Sequence, residues 1–98
     1  MRLVVIPTGN HIKRSIAWTF GNEKTWGLRV AECESKYNIN AKNGTSNASG
    51  LFQFMPNTFY ANASRAGIVE PDLWDWKQQI IVAGWMIEQG QHGQWECK

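Results

Sequence analysis

Ninety-eight residues suffice for one domain and are too few for two. Apolar residues make up 43% of the chain and six residues are Trp, which excludes a disordered polymer. A formal net charge of +2 suits an anionic partner such as cell wall but gives no dense basic stripe for nucleic acid, and no apolar run approaches the roughly 18 residues of a membrane span.

The chain begins Met1-Arg-Leu-Val-Val-Ile-Pro7. Leu3 to Ile6 are expected as a short extended piece stopped by Pro7 and Gly9, too short and without the cleavage pattern of a signal peptide. Asn10 is expected to cap a first helix with Ile12, Ile16 and Phe20 on one stripe and Gly21 as its stop. Arg2, Lys13 and Arg14 precede the first acid, Glu23. Residues 1–22 are therefore read as a basic N-terminal segment carrying a short helix, and 23–98 as the main domain. The basic segment fits either a grip on an anionic wall or an ordinary solvated helix face.

A second helix fits residues 23–36, with Trp26, Val30 and Cys33 on one face and Tyr37 continuing it. Two acids lie near its end. Helix phase puts Glu34 at the edge of the buried face and Glu32 in water. Residues 38–50, rich in Asn, Gly and Ser, read as a polar loop or short irregular hairpin with a turn signal at Asn43-Gly44. Pro56 suits the first position of a third helix running to about Ala66, with Gly67 as its stop. Asp72 or Asp75 then caps a last helix whose core stripe is Trp76, Ile80, Ala83 and Ile87 and which ends at Gly90. Trp85 falls off that stripe and is either packed against another helix or exposed in a groove. The expected architecture is mainly α, a small helical domain with a polar loop bordering a cleft.

Cys33 and Cys97 cannot make a tetrahedral zinc site without two further ligands, and His11 and His92 lie in unrelated segments. No metal and no cofactor are expected. The two cysteines read as one disulfide or as two free thiols. A bridge would close a loop of about 65 residues, remove about 4 kcal/mol of unfolded-state entropy and imply an oxidising compartment.

At Glu34-Ser35, Gly50-Leu51-Phe52-Gln53 and Met55-Pro56-x-Thr58 the sequence resembles the soluble lytic transglycosylase (SLT) domains, which share a lysozyme-like fold with goose-type lysozyme and the resuscitation-promoting factors. Cys33-Glu34-Ser35 with a terminal Trp95-x-Cys97 is similar to compact, disulfide-bonded members from phages and Gram-positive bacteria. The resemblance covers roughly residues 25–98. It implies an α+β lysozyme-like fold, peptidoglycan glycan strands as partner, action at the cell wall outside the cytoplasm, and a Cys33–Cys97 bridge tying the second helix to the chain's end. No nucleic-acid partner and no stable membrane insertion are expected, and the protein is expected to be a monomer.

Carried over residue by residue, Glu34 matches the family's catalytic acid and Gln53 the amide that lines the cleft beside it. Ser35 matches a position supporting local geometry. Cleaving a glycosidic bond needs a proton delivered to the leaving oxygen, and a half-buried Glu holds its proton towards neutral pH. Gln53 and polar groups of the loop, Ser49 among them, are candidates to hold N-acetyl and hydroxyl groups. Phe54, Tyr60 and Trp85 are candidates for flat surface against sugar faces, although residues of this kind are more often core than platform.

Two departures from the family stand out. The Ala-Tyr-Asn segment whose Tyr contacts the catalytic acid is replaced by Val82-Ala83-Gly84-Trp85. No second carboxylate has an evident place opposite Glu34; Glu70, Asp72 and Asp75 remain, and the two Asp are explained as caps. The expectation is a single-acid enzyme cutting the MurNAc-β-1,4-GlcNAc bond, as a lytic transglycosylase or a lysozyme-type muramidase. The rival readings are a non-catalytic cell-wall glycan-binding module and a membrane-active cationic domain.

Overall fold

The computed structural model describes residues 6–97. Four helices carry the fold: α1 (Gly9–Phe20), α2 (Lys24–Ser35), α3 (Pro56–Arg65) and α4 (Trp76–Glu88). Short 3₁₀ turns follow α1 at Gly21–Glu23 and α4 at His92–Gln94. The α+β expectation reduces, among the described residues, to two isolated antiparallel bridges, Lys42 with Ser49 and Ser49 with Phe54. The extended piece expected at Leu3 to Ile6 lies outside the described residues except for Ile6, which is exposed and irregular.

The helix ends follow local chemistry. Thr8, not Asn10, caps α1: its Oγ1 accepts from the His11 N–H at 3.1 Å, and Asn10 already lies inside the first turn. Thr8 has the extended backbone that a cap requires, so the helix starts as soon as its hydroxyl can take an orphan N–H. Gly21 ends α1 at φ 56. Pro56 opens α3, where its missing N–H is no loss. Between the two expected caps of α4 the structure selects Asp75, whose Oδ1 accepts from Lys77 N at 3.0 Å and Gln78 N at 3.3 Å. Asp72 instead accepts from Trp74 N at 3.0 Å and shapes the preceding turn.

α4 is the central element. Ile80, Val82, Ala83, Gly84, Met86 and Ile87 are all buried, so apolar contact surrounds it rather than one stripe. α1 packs against both α2 and α4, while α3 packs against α4. Ile12, Ile16 and Phe20 enter the same core as Phe52, Phe59 and Met86, so the basic N-terminal segment shares the core of the rest. Glycine sets the closest approaches: a Cβ on Gly27 would stand 2.7 Å from the Phe20 ring, and one on Gly84 would stand 3.1 Å from Thr19.

That close approach rotates α2 from its expected phase. Its buried residues are Gly27, Val30 and Ala31, whereas Cys33 is exposed and Trp26 only half-buried. The stripe pointing inward is thus Gly27, Val30/Ala31 and, one turn on, Glu34. Cys33 was expected on the buried face; it lies off it because the small residues, not Trp26 and Cys33, allow α1 to approach.

Candidate active site

Glu34 ends the inward stripe of α2 and is half-buried, while Glu32 is exposed. Immediately afterwards the chain leaves the helix through two left-handed residues, Lys36 (φ 52) and Tyr37 (φ 62). Non-glycine residues adopt this region at a cost and only where surrounding contacts hold them. Here the Tyr37 hydroxyl donates to the Leu28 carbonyl at 2.9 Å, folding the exit back along its own helix. Ser35 makes the other tie. Its Oγ stands 2.7 Å from the Leu51 carbonyl oxygen and 3.1 Å from that of Ala31.

Leu51 belongs to a closed turn. Ser49 and Phe54 exchange backbone hydrogen bonds, each 3.0 Å, around Gly50-Leu51-Phe52-Gln53. The turn requires positive φ at Gly50 (79°) and Gln53 (51°). Gly50 is doubly constrained, since a Cβ there would collide with the carboxamide of Gln79. That buried amide anchors the turn to α4. Gln79 Oε1 accepts from Phe52 N at 2.9 Å, and Nε2 donates to Ser49 O at 3.0 Å and Leu73 O at 2.8 Å.

Gln53 is the half-buried corner of the turn. Its Nε2 lies 3.1 Å from Ala41 O and 3.0 Å from Gly50 O, so the polar loop and the turn fix its plane. Its carboxamide oxygen has no intramolecular partner among the described residues. Gln53 also borders a concavity of about 90 Å³, together with Met55, Thr58, Met86, Gln94 and Trp95. A larger one, about 660 Å³ and lined by Arg14, Trp18, Lys77 and Ile81 among others, lies between α1 and α4 and shares no lining residue with it.

The remaining sequence candidates separate. Ser49 is buried and its hydroxyl donates to Asn47 O at 2.8 Å, so its side chain serves the loop. Phe54 is only 3% exposed, its ring edge-on to Phe59 and Trp95; it backs the wall of the concavity and offers no open face for a sugar. Tyr60 is exposed, and its hydroxyl accepts from Leu73 N at 3.3 Å, which ties it to the segment before α4. Trp85 is half-buried against the core. Among the described residues no hydrogen bond joins Tyr60 or Trp85 to the Glu34 end of α2. The direct contact between the two segments is that of Ser35, next to Glu34, with Leu51, two residues before Gln53.

The C-terminal segment completes this end. Trp95 is buried among Trp26, Phe52 and Phe54, and its Nε1 donates to Phe52 O at 3.0 Å. Cys97 bridges to Cys33, with their Cα atoms 5.7 Å apart. Burial raises Glu34 above the ordinary glutamate value, and Glu96 raises it further. Sequence reading missed Glu96 and Gln79. Glu96 had one available signal, its place beside Cys97. Gln79 had none, since a Gln on a helix ordinarily reads as surface.

These features are those of a small helical domain whose half-buried glutamate has its pKa raised by burial. The family model for the transglycosylase SLT domain matches residues 12–94, and the chain belongs to that family. Its function is accordingly of the peptidoglycan lytic transglycosylase type, and SLT domains act on the cell wall, outside the cytoplasm. The match begins within α1 and crosses the boundary drawn from sequence between residues 22 and 23. Comparison with curated proteins and with solved structures gave no match. No helix among the described residues is long and apolar enough to cross a membrane.

Proposed function

We propose that this protein cleaves the MurNAc-β-1,4-GlcNAc bond of peptidoglycan with Glu34 as its single catalytic acid, in cell-wall lysis by a phage or a bacterium. The observation that carries the reading is the position of Glu34: half-buried at the end of α2, its pKa raised by burial, and tied through Ser35 to the turn that carries Gln53. Glu34 protonates the oxygen leaving C1 of the muramic sugar, and the substrate's own 2-acetamido group stabilises the developing positive charge. Glu34, now a carboxylate, then takes a proton from either the sugar's 6-hydroxyl or a water. The first route gives a 1,6-anhydro product and the second a hydrolysed one. Gln53, its Nε2 committed to the backbone, offers its carboxamide oxygen to a sugar N–H or hydroxyl.

The test is clearance of isolated peptidoglycan by the wild type and by Glu34→Gln. Loss of clearance in the variant supports the acid role; wild-type clearance removes it and leaves a glycan-binding module. Mass spectrometry of the products separates the two routes, because the anhydro sugar is lighter by one water.

A further inference from the structure

Of the three acids considered from sequence as partners for Glu34, two are occupied elsewhere and the third is exposed. Asp75 caps α4, Asp72 accepts from Trp74 N, and Glu70 is exposed at a left-handed turn position (φ 57). The fold supplies a different acid from the other end of the chain. The Cys33–Cys97 bridge joins the residue before Glu34 to the residue after Glu96. On its other side Glu96 follows Trp95, which is 4% exposed and hydrogen-bonded to Phe52 O. Glu96, itself exposed, is therefore a single residue strung between two fixed points: the bridge to Cys33, next to Glu34, and Trp95, packed against Trp26, Phe52 and Phe54.

We propose that Glu96 is the second carboxylate of the site: a positioning residue, clamped beside Glu34 by the bridge, that acts through Glu34 and makes no contact with the reacting atoms. This rests on the reading of Glu34 as the acid. The chemistry is like-charge repulsion. A carboxylate close by disfavours ionisation of its neighbour, so the proton that Glu34 must deliver stays on it to higher pH. Other charges are poorly placed to do this. Glu32 and Lys36 lie on the exposed side of the same helix and its exit, Lys13 of α1 sits 4.9 Å over the Tyr37 ring, and the 49–54 turn has no titratable side chain. Among the described residues Glu96 is the one charged group that raises Glu34, second to burial. The bridge thereby acquires a role beyond stability, since its reduction lets the last residues swing away and takes the repelling charge with them.

The deciding measurement is the carboxyl titration of Glu34 by ¹³C NMR in the wild type, Glu96→Asp, Glu96→Gln and Glu96→Lys, beside the pH–rate profile for peptidoglycan cleavage. The expected result is a graded fall of the Glu34 midpoint from wild type through Glu96→Gln to Glu96→Lys, with Glu96→Asp close to wild type. The alkaline limb of the rate profile should fall in the same order. Raising the salt concentration should lower the wild-type midpoint and leave that of Glu96→Gln in place, because screening acts on a charge only where there is one. A Glu34 midpoint that is the same in wild type, Glu96→Gln and Glu96→Lys overturns the proposal. The titration is read without turnover. Cleavage that survives Glu34→Gln would therefore overturn the catalytic reading of Glu34, independently of whether Glu96 controls its proton.

Discussion

Ser35 on α2 and Leu51 in the Gly50–Gln53 turn are joined by a 2.7 Å contact from hydroxyl to carbonyl oxygen. It ties the helix that ends in Glu34 directly to the turn that holds Gln53. Ser35→Ala leaves the partly buried Leu51 carbonyl without this donor, a loss of about 1 kcal/mol. For a domain of this size that corresponds to a fall in Tm of roughly 4–8 °C. Because the tie sets the spacing of acid and amide, kcat should fall further than KM rises, measured on soluble glycan fragments.

Gly50 and Gly44 provide a paired test of the turn. Gly50→Ala forces a side chain into left-handed backbone and against the Gln79 amide, and should cost more than about 2 kcal/mol. Gly44 has nothing within 4 Å of a built Cβ and an ordinary φ. Gly44→Ala should stay within about 0.5 kcal/mol of wild type in denaturant unfolding.

Gln79→Leu keeps most of the volume of the side chain and removes three hydrogen bonds. Ser49 O keeps its partner Phe54 N, while Phe52 N and Leu73 O are left buried and unpaired. The expected cost is roughly 2–5 kcal/mol, read as a lower denaturant midpoint with an unchanged slope.

Glu34 gives a pH-dependent stability. Burial, and secondarily Glu96, hold its native pKa above the ordinary value of 4.5. The unfolded chain releases the proton at the ordinary value, so between the two the native state binds more protons and stability falls as pH rises. That loss is absent below the unfolded pKa and complete above the native one. Glu34→Gln should therefore melt at a higher temperature than wild type at neutral pH, and the two melting curves should converge below about pH 4.

The bridge spans a sequence separation of 64. Cys33→Ser with Cys97→Ser should lower unfolding stability by about 4 kcal/mol if loop-closure entropy dominates. Urea titration of oxidised protein and double variant under the same buffer checks the figure.

The helix boundaries were legible because they depend on local signals: Pro56 at a first turn, Asp75 at a cap, and Gly21 where the chain must turn left-handed. That Glu34 is half-buried while Glu32 is exposed was also legible, from helix phase. The phase itself was less so. Trp26 and Cys33 look like the buried face by hydropathy, but the real face is Gly27, Val30 and Ala31, because backbone approach favours the smallest residues. Thr8 was passed over as a cap because Asn10 is nearer the first apolar residue. An aromatic such as Phe54 reads from sequence more readily as core than as platform, and its neighbours Phe59 and Trp95 put it in the core. Gln79 reaches Phe52 and Ser49 across 27 and 30 residues of chain, a distance that no periodicity spans.

The same bridge closes residues 33–97 into a covalent ring that holds Glu34, Gln53 and Glu96, while α1 and most of α2 form a tail held to it by packing and a few side-chain contacts such as Tyr37 to Leu28 O. A protease cutting the exposed Asn43–Asn47 stretch would open the ring without dividing the molecule. The nicked protein would be one water heavier and would part into two pieces only on reduction. Acid and amide would stay on one connected chain through a break in the loop between them.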